Sequence, residues 1–284
     1  MARVLGVIGG SGVYEVHGLS DVREERVGTP FGEPSDAIFR GRLGDTELLF
    51  LPRHGRGHLV PPHLVNYRAN VCAKKRLGAT HLVSISAVGS MKESVPPGDV
   101  VVVDQYLDFT KRRASTFFED GIVAHVSLAA PVCPLLSKAA AEAARRAGAN
   151  VHEGGTYVCI EGPQFSTRAE SLFYRSLGVT VVGMTAMPES KLAREAELPY
   201  ATVAFSTDYD SWHETEEAVS VEAVVAVLRQ NADVAKRIVV ELASALPDPA
   251  KSPATGALRN AIITAPDHIT PEARARLGWL IGST

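Results

Sequence analysis

The chain alternates short runs of aliphatic and β-branched residues with segments whose apolar positions recur every three or four residues. Strand character appears at residues 3–8, 37–39, 47–51, 81–85, 99–103, 157–160, 179–182 and 200–205. Helical periodicity is clearest at 64–76, 134–146, 169–176, 189–196 and 221–246. Strands interleaved with amphipathic helices predict an α/β protein, its largely parallel sheet covered by helices. Thr167-Arg168-Ala169-Glu170 has the spacing of a capping box, and Pro188 with Glu189 suits a helical first turn. No repeat or low-complexity linker precedes Pro247. The Pro-rich stretch 247–253 reads as a connector and 271–281 as a last short helix. The expected organisation is one domain over 1–246, with 247–284 packing back onto it.

Composition narrows the class. Of 284 residues, 45% are hydrophobic and 21% charged, enough to bury a substantial core. A formal net charge of -3 leaves no broad electrostatic footprint for nucleic acid or an anionic membrane, so an anionic substrate needs a local site. No apolar stretch approaches the roughly 20 residues of a membrane span. Cys72, Cys133 and Cys159 are widely spaced and odd in number, which fits neither a zinc module nor a disulfide framework and points to a reducing cytoplasm.

Four segments could carry chemistry. Gly9-Gly10-Ser11-Gly12 follows the opening strand and could turn backbone N–H groups and a hydroxyl toward an anion, although its glycine spacing does not complete a dinucleotide fingerprint. A plain tight turn is the alternative. Arg53-His54-Gly55-Arg56-Gly57-His58 sets guanidinium and imidazole groups on a glycine-containing loop. Arginine's planar fork suits phosphate, while the absence of a nearby carboxylate or thiolate argues against a metal. Ser84 to Ser90 and Val182 to Glu189 are strand ends rich in small or hydroxyl residues; Thr185 could donate to an anion, and Met184 could pack in the core or lie against a ligand. In Ser206-Thr207-Asp208-Tyr209-Asp210-Ser211-Trp212 the two carboxylates face one side if the strand continues through them. Crowding would then raise the pKa of one. An acidic turn or cap is the plainer reading.

Taken in order, these segments resemble the methylthioadenosine branch of the trimeric purine nucleoside phosphorylase family. The likeness runs from about Val4 to Leu246 and is carried by Gly-Gly-Ser-Gly at 9–12, Arg-His-Gly-Arg-Gly-His at 53–58, Asn66-Tyr67-Arg68-Ala69-Asn70, Ser-Ala-Val-Gly-Ser at 86–90, Glu161-Gly162-Pro163-Gln164-Phe165-Ser166, Gly-Met-Thr at 183–185 and Thr-Asp-Tyr-Asp at 207–210. The resemblance implies an α/β single-domain fold with a mixed central sheet flanked by helices, and phosphorolysis of S-methyl-5'-thioadenosine with inorganic phosphate as co-substrate. It implies no metal and no other cofactor, and a homotrimer with sites at subunit interfaces.

It assigns phosphate to Ser11, Arg53, His54, Ser86, Ala87 and Thr185, ribose to Met184, and purine stacking to Phe165. Asp208 and Asp210 become the catalytic pair. A neutral Asp208 would protonate N7, and an ionised Asp210 would accept from the N6 amino group. Val221 and Val224, with His125 from a neighbouring subunit, would meet the 5' substituent, and Ser166 and Val221 would set specificity. The i,i+3 spacing of the valines also fits an ordinary buried helix face. Gln164 stands where the family string carries arginine, which implies weaker phosphate binding if that arginine supports the loop. A 6-oxopurine nucleoside or methylthioinosine phosphorylase, and a non-catalytic purine-binding module, remain the alternatives.

Overall fold

The strands of the chain gather around one long central member. A computed structural model describes residues 3–10, 16–213 and 221–282, apart from the side chains of 221–224, 228 and 230. In chain order its elements are β1 (Arg3–Gly9), β2 (Ser20–Glu25), β3 (Ile38–Leu43), β4 (Thr46–Pro52), α1 (Tyr67–Arg76), β5 (His81–Ser90), β6 (Val100–Val103), β7 (Gln105–Asp108), α2 (Pro134–Arg146), β8 (Val151–Glu153), β9 (Thr156–Cys159), α3 (Arg168–Ser176), β10 (Val181–Gly183), α4 (Glu189–Glu195), β11 (Tyr200–Asp208), α5 (Val221–Ser244) and α6 (Pro271–Ile281).

Among the described residues these strands make one 11-stranded sheet. β5 lies at its centre, parallel to β1 on one side and to β11 on the other, and its last two residues take β10 antiparallel. Further antiparallel pairings of β2 with β3, β3 with β4 and β6 with β11 make the sheet mixed around its parallel centre.

Period-two alternation divides the core between the two faces. Leu5, Val7, Leu48 and Phe50 pack with Leu136 and Ala140 of α2 and with Ile238 and Leu242 of α5. Val4, Ile8, Leu49 and Leu51 point the other way, into a cluster with Val71 and Cys72 of α1, Leu192 of α4 and Leu277 of α6. Covering both faces explains why the central strands read as unbroken apolar runs. Each large side chain so buried contributes about 1.5–3 kcal/mol.

Helix starts follow local chemistry. The Asn66 side chain accepts from the Ala69 N–H ahead of α1, Pro134 opens α2, and Thr270 caps α6 through the Ala273 N–H. The Thr167–Glu170 capping box is formed in both directions. Three strands escaped the pattern: β2 is a charged edge with almost every residue exposed, while β7 and β8 have only four and three residues. No helix among the described residues is long and apolar enough to cross a membrane.

Candidate active site

Because β1, β4, β5 and β11 are parallel neighbours, their C-terminal ends open on one edge. β1 ends at Gly9 opposite Pro52, and the N–H of Arg53 donates to the Gly9 carbonyl at 2.9 Å. β5 ends in Ser86 to Ser90, and β11 in Asp208. β10 runs back along the end of β5, which brings the Thr185 hydroxyl within 3.2 Å of Ser86 Oγ.

Arg53 is only 2% exposed and is not a free anion grip. Its Nε and Nη2 donate to the two carboxylate oxygens of Glu189 at 3.1 and 3.3 Å, Nη2 also reaches Ser84 Oγ and the Ile8 carbonyl, and Nη1 the Ile85 carbonyl. Among the described residues Nη1 has only this acceptor, so its second hydrogen is uncommitted. Burial alone would make the guanidinium less basic, but the charge and hydrogen bonds of Glu189 more than reverse that and hold its pKa above the ordinary value. Glu189, fully buried, also accepts from Tyr200 at 3.0 Å. Tyr200 accepts in turn from Thr202, whose hydroxyl lies 2.8 Å from that of Tyr106. The expected dipole role of Glu189 is thus secondary to its ion pair with Arg53.

His54 lies on the same loop, its Nδ1 2.8 Å from the Val60 carbonyl and its ring stacked on His58. Burial, then the Arg53 charge, pushes its pKa down to about 4, so the imidazole is neutral and presents Nε2. Ser86 Oγ stands within 3.3 Å of the Tyr157 hydroxyl, which also accepts from the Thr185 N–H at 3.4 Å. A side chain at Gly183 would strike that phenol at 2.0 Å, so glycine permits the convergence. Ala87 is half-buried at the same strand end.

The two aspartates do not share one strand face. β11 shifts register after Ser206 and stops at Asp208, and Asp210 turns into a short 3-10 segment with a φ of 50°. The Asp210 N–H folds back to donate to Asp208 Oδ1 at 2.8 Å, while Thr207 Oγ1 donates to Asp208 Oδ2 at 2.6 Å. A Cβ at Gly89 would sit 2.9 Å from Asp208 Oδ1 and 3.1 Å from Asp210 Cβ, which fixes glycine there. Burial raises both carboxyl pKa values; the Asp210 charge adds a smaller upward push at Asp208. Desolvation rather than crowding therefore dominates, and it acts on both groups rather than splitting them. Ser171 and Ser166 come close enough to favour the Asp210 carboxylate. Among the described residues, however, Asp210 Oδ2 and both serine hydroxyls are buried without a hydrogen-bond partner. Buried orphans of this kind call for an explanation, and a polar ligand supplies one.

Of the other sequence-selected residues, Met184 is half-buried and packs at the edge of a small cluster containing Val182, Ile160 and Trp212. Gly162 must be glycine, since a Cβ there would meet Met184 Sδ at 2.5 Å. Phe165 and Gln164 are exposed, whereas Ser166 is buried. His125 is exposed on a segment whose N–H donates to the Ala261 carbonyl. Ser11 and the side chains of Val221 and Val224 lie outside the described residues. Among the described residues no group of three or more His, Cys, Asp or Glu side chains is arranged to hold a metal. Sequence reasoning passed over Tyr157, Ser171 and Arg113, and the pairing of Glu189 with Arg53. Nothing local marks them, since each works through partners distant in sequence.

Two hydroxyls meeting at the end of β5, a buried guanidinium bonded to the residue before Ser86, and a half-buried and a buried carboxyl at the end of β11 are groups suited to phosphate and a nitrogenous base. The chain belongs to the phosphorylase superfamily, whose family model matches residues 4–244. It is 53% identical to S-methyl-5'-thioadenosine phosphorylase of Geobacter sulfurreducens, covering 100% of this chain and 99% of that protein. It is 54% identical to the protein of the same name from Cereibacter sphaeroides, covering 99% and 98%. Among solved structures, a methylthioadenosine phosphorylase from an antarctic soil metagenomic library superposes with a TM-score of 0.93 at 46% identity, covering 99% of each chain. The Schistosoma mansoni methylthioadenosine phosphorylase in complex with adenine gives 0.88 at 37% identity, covering 93% of this chain and all of that one.

Proposed function

We propose that this chain is a pentosyltransferase that cleaves S-methyl-5'-thioadenosine with inorganic phosphate, releasing adenine and 5-methylthioribose 1-phosphate. The observation that carries the reading is the pairing of a half-buried Asp208 with a buried Asp210 at the end of β11, on the strand that neighbours the β5 end carrying Ser86 and, across it, Thr185. Phosphate, held by Ser86, Thr185, the Ala87 backbone, the remaining Arg53 hydrogen and Ser11, and donating its own O–H to the neutral His54 at Nε2, attacks the anomeric carbon as its bond to N9 breaks. Positive charge grows on the sugar and negative charge on the purine. Asp208, raised by burial, gives its proton to N7, a step typically worth about 10²–10⁴-fold. Asp210 accepts from the N6 amino group, with Ser166 and Ser171 beside it. Phe165 covers the purine and Met184 the ribose.

Val221 and Val224 meet the methylthio group. The exposed His125 reaches the same pocket of a neighbouring copy in a homotrimer. The reaction uses no cofactor or metal beyond phosphate, and the enzyme works in the cytoplasm in purine salvage. The test is turnover of methylthioadenosine, adenosine, inosine and methylthioinosine with and without phosphate. Methylthioadenosine is expected to be preferred and phosphate required. Preference for inosine would overturn the base assignment, and undiminished cleavage without phosphate would indicate a hydrolase.

A further inference from the structure

Between β7 and α2 lies an arginine that touches neither the hydroxyl recess nor the aspartate pair. Arg113 has a side chain only 2% exposed. Its Nη1 donates to the carbonyls of Met184 and Met187 at 2.7 and 2.6 Å and to the Tyr67 hydroxyl at 2.9 Å. Its Nη2 donates to the carbonyls of Glu161 and Ile160 at 2.7 and 3.3 Å. Tyr67 passes the connection on, donating to the Pro62 carbonyl at 3.0 Å. The arginine's own segment is anchored to α4, because the Thr116 hydroxyl and the Phe117 N–H both donate to Glu195 at 2.7 Å.

We infer that Arg113 is a positioning residue for phosphorolysis: its guanidinium locks the loop after β9 to the loop after β10 and to the start of α1. The first loop leads to Phe165 and Ser166, and the second carries Met184 and Thr185. One sets where the base lies and the other where the sugar and phosphate lie. Their relative placement decides whether the phosphate oxygen is in line with the breaking bond. A planar fork can span acceptors on three segments, whereas a lysine ammonium offers three donors from one point. This inference rests on the phosphorolysis reading above.

The test is Arg113→Lys in the full-length protein, with steady-state kinetics on the nucleoside the wild type prefers. Adenine and inorganic phosphate are titrated separately by calorimetry. Each ligand keeps its own loop, so each binary affinity should change by less than about threefold. Loss of registry between the loops should lower kcat by roughly 10²-fold. Tyr67→Phe, which removes one of the five acceptors and leaves the charge in place, should lower kcat in the same direction by a smaller factor. A folded Arg113→Lys with wild-type kcat overturns the inference, as does a loss of both binary affinities in step with kcat, which indicates general damage. If Arg113→Lys does not fold, an unchanged kcat in Tyr67→Phe overturns it. A wild-type protein inactive on all four nucleosides refutes the functional reading instead, and that result precedes any variant.

Discussion

Replacing Glu189 by alanine would leave the Arg53 guanidinium, 2% exposed, without its counter-charge and without the acceptors for Nε and one arm of Nη2. Tyr200 would lose its acceptor as well. Removing one member of a buried ion pair costs about 3–5 kcal/mol, because the surviving charge remains desolvated. In a chain of this size each kcal/mol moves Tm by about 2–4 °C, so Glu189→Ala should melt on the order of 10 °C lower. Glu189→Gln keeps one acceptor oxygen, able to serve both Tyr200 and Arg53 Nη2, but loses the charge and the acceptor for Nε, so it should fall between alanine and wild type. Differential scanning calorimetry on the three proteins gives the order directly.

Phosphate sharpens the test. A dianion beside the remaining Nη1 hydrogen would replace the missing counter-charge, so saturating phosphate should raise Tm more in Glu189→Gln than in wild type, by the usual linkage of ligand to the native state. A drop of less than about 2 °C in Glu189→Ala, under 1 kcal/mol by the same scaling, would refute the view that this pair supports the recess.

Asp208→Asn should lower turnover of adenine nucleosides by roughly the general-acid factor of 10²–10⁴, and wild-type kcat in the variant would show that another group supplies the proton. The same variant should melt higher than wild type at pH 7. A folded carboxyl whose pKa is raised above its unfolded value stabilises only at pH below the unfolded value, and that contribution is lost as pH rises through the folded one. Thermal scans over pH should therefore show the Asp208→Asn advantage growing from about pH 4 upward. Gly89→Ala should cost about 1–3 kcal/mol by overpacking and displace Asp208, lowering kcat more than it raises either KM. His54 and His81 both have pKa values lowered by burial to about 4, so the native state should lose stability as pH falls from the ordinary histidine range through that value. Denaturant titrations of wild type and His54→Gln should show a shallower acid-side loss in the variant.

What was legible in the sequence was mainly what adjacent residues decide. The capping box of α3 is a four-residue pattern and forms as written, and Pro134 marks the start of α2. Continuous apolar runs also placed the central strands, because both faces of β1 and β4 are covered. β2 was illegible for the converse reason: its exposed, charged residues have no buried face to impose a period. The site divides along the same line. The residue types suited to an anion could be read from Arg53 to His58, but not the fact that Arg53 turns inward, since its partner Glu189 lies 136 positions away. The aspartate pair misled through an assumption of continuity. Alternation puts residues 208 and 210 on one face only if the strand goes on, and a register shift followed by a positive φ ends it there.

The two halves of the site differ in polar satisfaction. Under the recess Arg53, Glu189, Tyr200, Thr202 and Tyr106 exchange hydrogen bonds among themselves, so that floor is fixed before any ligand arrives. Beside it Asp210 Oδ2, Ser166 Oγ and Ser171 Oγ are buried and unpaired among the described residues. Such a wall penalises the empty protein and rewards a ligand that brings a donor to it. Discrimination should follow the same asymmetry. A site with committed polar groups rejects a substrate lacking the matching group by up to about 10⁴–10⁵, whereas one methylene in an apolar pocket yields about 10–200-fold. The choice of base should therefore be sharper than the choice of 5' substituent. Purine riboside, which lacks the 6-amino group, should lose far more in kcat/KM relative to adenosine than adenosine loses relative to methylthioadenosine. The reverse order would mean that Asp210 and its two serines do not read the base.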